Sequence, residues 1–124
     1  DVQRMFQSDL DAMVTRYAIM RQAQIYHGDI AVVAADEAYD RVTAAKAADE
    51  LLTIRGIRAS FVLYRKDDGV YMSARSLGEI NVQVILEVLG GGGNSTTAGG
   101  QAKGITVAEA REKLLAAIDR YFED

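Results

Sequence analysis

A short polar stretch in the second half of this 124-residue chain has the chemistry of an anion-binding site. Ser73, Arg75 and Ser76 are grouped at the end of a predicted strand, and Asn81 lies near the start of the helix predicted to follow it. Arginine offers a planar, permanent cation, serine hydroxyls donate hydrogen bonds, and backbone N–H groups are free at the start of a helix. We therefore predict that these groups converge on a phosphate.

A glycine run follows that helix and adds a second element of the same kind of site. Gly90, Gly91, Gly92 and Gly93 stand in a row and are followed by Asn94. Glycines let backbone N–H groups approach an anion without side chains in the way, and an asparagine suits a base edge or a phosphate oxygen. We predict that the last three glycines and the asparagine contact the same ligand.

The same residues also allow a reading in which no ligand is bound. Arg75 would then form an ion pair with Glu79 or Glu87, and the glycines would only turn the chain. Segment 90–104 is rich in Gly, Ser and Thr, which is typical of a flexible loop, and a glycine-rich stretch by itself is a weak motif. From the residues alone we weigh the two readings equally.

The chain offers little for catalysis by itself. It has no cysteine, and its single histidine, His27, is predicted to end the first helix, with no nucleophile elbow in the sequence. A two-metal site needs several Asp and His side chains that converge. The aspartates fit helix caps, solvated faces and turns instead: Asp36, Asp40, Asp49, Asp67 and Asp68. We predict no catalytic residue and no metal ligand.

Charge and hydropathy limit the function classes further. The formal net charge is −4, which argues against a broad nucleic-acid surface but allows a local basic site. No apolar run approaches the length that a membrane span needs, and nothing at the start resembles a signal peptide. Because the chain opens on Asp1 within a helical pattern, we expect a piece of a larger protein.

An amphipathic helix is predicted over residues 2–26, ended by Gly28. One face carries an apolar stripe: Phe6, Leu10, Met13, Tyr17 and Met20. The stripe lasts about two heptads, short of what a coiled coil needs. We therefore favour packing of this helix on the same domain or on a missing neighbour. A homodimer through this helix stays a possible alternative.

The remaining patterns predict an α/β fold with a single mixed sheet packed by helices, after an N-terminal connector helix. Asp and Gly between two alternating runs predict a hairpin at 67–69, and Thr106 with Glu109 forms a capping box. Strands are predicted at 30–35, 59–66, 70–75 and weakly at 101–103, and helices at 37–54, 80–89 and from Thr106 onward.

Several segments together resemble the DHH-associated domain, and most closely the carboxy-terminal domain of GdpP-type cyclic-di-AMP phosphodiesterases. They are Ala47-Ala48-Asp49, Gly56-Ile57, Ala59 to Val62, Ser73 to Ser76, Asn81-Val82 and Gly90 to Gly93. The likeness covers residues 29–124, which would be the nucleotide-binding domain. It makes residues 1–28 a connector helix from an upstream catalytic domain.

The resemblance implies a division of labour. In that family a DHH domain holds manganese and cleaves the phosphodiester, and the DHH-associated domain grips the cyclic dinucleotide or short oligonucleotide. The family's binding arginine falls on Arg75 and its glycine loop on 90–93, with Ser73, Ser76 and Asn81 near the nucleotide. The fragment alone would be inactive, would contact an intramolecular DHH domain and would lie in the cytoplasm; GdpP-type parents are membrane-anchored.

One departure from the family pattern affects the expected ligand. The family loop usually reads Gly-Gly-Gly-His, and this chain has Asn94 in place of the histidine. Asparagine cannot become a cation or offer an aromatic face, so weaker binding or another nucleotide is expected. Two alternatives stay open: a module that binds single strands or tRNA, and a degenerate domain kept for oligomerisation.

Overall fold

The computed structural model describes residues 2–123, with side chains from residue 6 onward. It confirms the predicted fold class, because one mixed six-stranded sheet of order β1-β2-β3-β4-β6-β5 is packed by helices. The elements are α1 (Val2–Met20), β1 (Gln24–Tyr26), β2 (Ile30–Ala38), α2 (Arg41–Leu51), β3 (Ala59–Lys66), β4 (Gly69–Ser76), α3 (Val82–Glu87), β5 (Gly92–Gly93), β6 (Thr97–Lys103) and α4 (Val107–Phe122).

Alternation along the strands fixes which face of the sheet each helix covers. Phe61 and Leu63 belong to a core shared with α3 and α4, and Val62 and Tyr64 to a core shared with α1 and α2. Successive residues of β3 thus face opposite sides of the sheet. β2 and β3 pair in parallel through the α2 crossover, and β3 joins β4 by the predicted hairpin, where Asp67 has φ 55°.

The first helix is shorter than predicted. It ends at Met20, and residues 24–26 form β1, which pairs with β2. His27 therefore lies in the β1–β2 turn with φ 60°, so its assignment to a helix end was wrong. Its ring stacks on Phe122 with centroids 4.0 Å apart, which joins this turn to the last helix.

The apolar stripe of α1 is largely uncovered. Phe6 and Tyr17 are exposed, whereas Ile19, which lies outside the stripe, is fully buried against α2. Arg16 Nε also lies 2.7 Å from Glu50 Oε1 of α2. The helix thus packs on its own domain through residues beside the stripe, and a homodimer through the stripe stays a prediction.

Two further elements differ from their predicted extent. The helix predicted over 37–54 spans Arg41–Leu51, because β2 continues to Ala38 and Asp40 caps the helix by accepting from the Thr43 N–H. The flexible loop predicted over 90–104 was wrong, because β6 (Thr97–Lys103) pairs along β4 and carries β5 at its other side.

The capping box of α4 is present and gives a prediction about pH. The Thr106 N–H donates to Glu109 Oε1 at 2.9 Å and the Glu109 N–H to Thr106 Oγ1 at 3.0 Å. The hydrogen bond from the Thr106 backbone, and then that from its side chain, lower the pKa of Glu109. A lowered folded-state pKa means that the carboxylate stabilises the fold above its ordinary pKa and that this contribution is lost as pH falls through the folded value.

We therefore expect the wild type to lose stability relative to Glu109→Gln as the pH is lowered from about 6 to about 3. Glutamine keeps the acceptor oxygen of the box but does not titrate. Urea unfolding of both proteins at each pH measures the difference. A difference that stays constant with pH would contradict this role for the Glu109 carboxylate.

Candidate functional site

A groove lies on the face of the sheet that α2 covers only in part. α2 packs over β3 and β4, and the neighbouring strands β6 and β5 continue beyond it. Tyr71, Ser73 and Arg75 alternate along β4 and so point to this face. Their partners on β6 are Gln101, Gly99 and Thr97, in that order. Gly99, which has no side chain, leaves space above the strands.

The groove has a volume of about 560 Å³ and a positive lining. Arg41 from α2 and Arg75 from β4 both line it, and no Asp or Glu is among its lining residues in the described chain. That lining contrasts with the net charge of −4 for the whole chain. The remaining walls are Ala45, Tyr64, Tyr71, Met72, Ser73, Gly92, Gly93, Thr97, Ala98, Gly99, Gly100 and Gln101.

Arg75 is held in place by the protein itself. Its Nε donates to Asp49 Oδ1 at 2.8 Å, and its Nη1 donates to the Ala74 carbonyl at 2.9 Å. Nη2 has no hydrogen-bond partner among residues 2–123. The pairing with Glu79 or Glu87 considered above was wrong, because Arg75 pairs with Asp49, and Glu79 pairs with Arg58. Two of the three guanidinium nitrogens are thus fixed, and the third remains available to a ligand.

Ser73 and Gly92 give the groove a small, polar floor. Ser73 is 7% exposed and lines the groove. A Cβ built on Gly92 would have no protein atom within 4 Å. The Gly92 backbone therefore faces open space, and its contact with a ligand stays a prediction.

Ser76 and Asn81, also predicted to contact the ligand, do not line this groove. The Ser76 hydroxyl accepts from the Gly78 N–H at 3.0 Å. The Asn81 side chain caps α3 by accepting from the Gln83 and Val84 N–H groups. Both side chains shape the β4–α3 connection, and a direct role in binding stays a prediction.

Gly91 and Asn94 are likewise absent from the groove lining. A Cβ on Gly91 would lie 2.8 Å from the Gly99 carbonyl oxygen, so the glycine permits β5 and β6 to approach. Asn94 Oδ1 accepts from the N–H groups of Thr96 and Thr97, which closes the β5–β6 turn. This bonding occupies the side-chain oxygen of Asn94, and its contact with a ligand stays a prediction.

The sequence analysis missed several groove residues. Tyr71 could have been found, because it stands two and four residues before the predicted Ser73 and Arg75 on one strand, and period two places all three on one face. Arg41, Tyr64 and Gln101 reach the groove only through the packing of α2, β3 and β6 around β4. No local signal marks them.

Tyr64 is the most buried polar side chain of the groove. It is 1% exposed and pairs in register with Tyr71, whose ring centroid lies 6.0 Å away. Burial raises the pKa of its hydroxyl, and the nearby Arg41 opposes this shift. The Tyr64 hydroxyl therefore stays protonated at neutral pH and can act as a donor.

Two further features concern metal ligands and the length of apolar helices in the part of the chain that the structure describes. Within residues 2–123, no cluster of three or more His, Cys, Asp or Glu could hold a metal ion. The described residues thus do not fit a manganese site. None of the described helices combines the length and the apolar character that crossing a membrane requires.

Comparison with known proteins gives close relatives that are much longer. The chain is 43% identical over 125 residues to cyclic-di-AMP phosphodiesterase PdeA of Listeria monocytogenes and 45% identical over 125 residues to cyclic-di-AMP phosphodiesterase GdpP of Geobacillus thermodenitrificans. Each match covers 98% of this chain and 19% of the relative. The chain therefore spans about a fifth of the length of these relatives.

The fold is shared more widely than the sequence. A solved structure of an exopolyphosphatase-related protein from Bacteroides fragilis superimposes with a TM-score of 0.77 at 18% identity, over 89% of this chain and 34% of that one. The DHHA1 domain family matches residues 27–124, a range that contains every lining residue of the groove. With most of its length matched, this chain belongs to the DHHA1 domain family.

Proposed function

We propose that this chain is the substrate-binding domain of a DHH-family phosphodiesterase that hydrolyses cyclic-di-AMP or short oligonucleotides. The observation that supports this most is the groove lining, which contains two arginines and no carboxylate in a chain of net charge −4. Asp49 pairs with Arg75 from outside the lining, and the two arginines within the groove still favour a phosphate ligand. The names of the PdeA and GdpP relatives suggest the cyclic dinucleotide as that ligand.

The groove supplies the donors that a phosphodiester needs. In the proposal Arg75 Nη2 and the Ser73 hydroxyl donate to phosphate oxygens, while the ligand backbone lies over Gly92. Arg75 is already oriented by Asp49 and Ala74, so little side-chain freedom is lost on binding. Tyr64 and Tyr71 add rings and hydroxyls further along the groove.

The proposal places hydrolysis of the phosphodiester in a second domain. No metal cluster is found within residues 2–123, so we derive no hydrolytic step for this chain. In the proposal an intramolecular DHH domain would hold manganese and supply the hydrolytic chemistry, while the present domain holds the nucleotide in position. The chain alone is then expected to bind without hydrolysing.

Calorimetric titration of the chain with cyclic-di-AMP, its linear dinucleotide product and a short single-stranded oligonucleotide tests the proposal. Saturable binding of a dinucleotide supports it. Binding of the oligonucleotide alone, with a steep salt dependence, would indicate a single-strand or tRNA module instead. If none of the ligands binds, Asn94→His is titrated next. Binding by this variant would show that Asn94 weakens the site. No binding by either protein would count against the chain being a binding unit by itself.

A further inference from the structure

A carboxylate stands directly beside the candidate phosphate-binding arginine. Asp49 Oδ1 accepts from Arg75 Nε at 2.8 Å, and the Ala74 carbonyl accepts from Nη1 at 2.9 Å. Asp49 is not among the lining residues of the groove, and it borders a separate cavity of about 340 Å³ that residues of α1 and α2 line. The carboxylate therefore contacts the guanidinium from outside the groove.

The charge of Asp49 is unfavourable for an anionic ligand. A carboxylate that pairs with Arg75 offsets part of the positive charge of the guanidinium and repels a phosphate bound at Nη2. The ion pair also adds little to the stability of the fold, because the Asp49 side chain is 60% exposed. Attraction of a ligand and stabilisation of the fold therefore do not account for this carboxylate, whereas its geometry does.

Two hydrogen bonds fix the plane of the Arg75 guanidinium. The bond at Nη1 alone would let the group turn about that contact, and the second bond at Nε holds the plane and so directs Nη2. α2 is itself fixed at the preceding residue, because the buried Ser60 hydroxyl donates to the Ala48 carbonyl at 2.7 Å. Ser60 pairs in register with Arg75. The backbone that carries Asp49 is thus anchored next to the residue that Asp49 orients.

We propose that Asp49 is a positioning residue of the groove, which orients Arg75 for a phosphate although its charge weakens the attraction between them. The inference rests on the proposed function and deepens it by assigning how the binding arginine is held. An oriented arginine loses less side-chain freedom when the ligand binds, and this gain offsets the repulsion by the carboxylate. The acceptor and the charge of Asp49 thus act on affinity in opposite directions.

Two substitutions that remove the same charge separate these effects. Asp49→Asn keeps a carbonyl oxygen that can accept from Arg75 Nε, whereas Asp49→Ala removes the acceptor. Calorimetric titration with cyclic-di-AMP and with its linear dinucleotide product compares the variants. We expect Asp49→Asn to bind at least as tightly as the wild type and about threefold to tenfold more tightly than Asp49→Ala. Equal affinities of the two variants would overturn the positioning role.

The next residue of α2, Glu50, provides the matched control. Its Oε1 lies 2.7 Å from Arg16 Nε of α1, and Glu50 does not line the groove. Glu50→Gln and Glu50→Ala also differ only in the acceptor that they keep, so we expect these two variants to bind the dinucleotides with equal affinity. A difference as large as that between the Asp49 variants would mean that any change in this turn of α2 alters binding, and it would also overturn the proposal.

The Nε–H proton of Arg75 gives a readout by NMR that does not depend on a ligand. Its hydrogen bond to residue 49 should slow its exchange with water in the wild type and in Asp49→Asn, and this exchange should be faster in Asp49→Ala. Arg75→Lys has no Nε, so the loss of the signal in that variant identifies it. Unchanged exchange in Asp49→Ala would contradict the orienting contact.

Failure of the proposed function and failure of this role give different results. If the wild type binds neither dinucleotide, the proposed function is wrong and the positioning role is wrong with it. If the wild type binds a dinucleotide and the two Asp49 variants bind it equally, only the role of Asp49 is overturned.

Discussion

Replacing Arg75 with alanine is expected to weaken dinucleotide binding by this chain at least about tenfold to a hundredfold while its fold persists. The guanidinium is oriented by the protein itself, through Asp49 and the Ala74 carbonyl. Hydrogen bonds to a charged group contribute about 1.5–3 kcal/mol each, so the loss of the Nη2 donors and the charge corresponds to at least about tenfold to a hundredfold in affinity. Calorimetry on both proteins measures the loss.

Stability should change little in this variant, which separates binding from folding. Asp49 is 60% exposed at its side chain and stays hydrated when its partner is removed, so the lost ion pair costs about 1 kcal/mol or less. Arg55→Ala, which removes an exposed arginine outside the groove, serves as the matched control for the change in net charge. An equal loss of dinucleotide affinity in both variants would mean that only the overall charge attracts the ligand and that Arg75 does not contact it specifically.

Elements with strong local signals were predictable from the sequence. The β3–β4 hairpin follows from an Asp and Gly turn between two alternating runs, and the start of α4 from the Thr106 and Glu109 capping box. In both cases the residues that fix the backbone are neighbours in sequence. At these positions the local backbone preference and the tertiary fold agree.

The errors occurred where long-range pairing overrides local preference. Residues 97–103 contain two glycines and read as a loop, yet β4 supplies a full ladder of partners for them. Residues 24–26 continue the apolar pattern of the first helix, but they form a strand because they pair with the edge of β2. A single sequence carries no signal for a partner strand that is distant along the chain.

The fold brings only some of the predicted site residues together. Ser73, Arg75, Gly92 and Gly93 meet in the groove, whereas Ser76 and Asn81 have local capping roles. Serine and asparagine suit anion sites and backbone caps equally well, so composition cannot separate the two uses. The anchor of Arg75, Asp49, is 26 residues away in sequence and became evident only once α2 was placed over β3.

Gly93→Ala is expected to destabilise the chain by about 3 kcal/mol or more. Gly93 has φ 145°, a conformation that side-chain-bearing residues rarely adopt, and a Cβ there would lie next to the Thr97 carbonyl oxygen and 2.7 Å from Ala98 Cα. Both atoms belong to the backbone of β6, so relief requires separation of β5 from β6. Urea unfolding measures the change, and a loss below about 1 kcal/mol would show that the hairpin can adjust.

The adjacent Gly92→Ala is the matched variant that distinguishes the two uses of glycine in this loop. A Cβ at Gly92 meets no protein atom within 4 Å, so stability should stay within about 0.5 kcal/mol of the wild type. The added methyl group would project into space that the proposal gives to the ligand, and dinucleotide affinity should therefore fall. Unchanged affinity together with unchanged stability would mean that the ligand does not approach this glycine, and the binding surface would then have to lie nearer Arg41 and Tyr71.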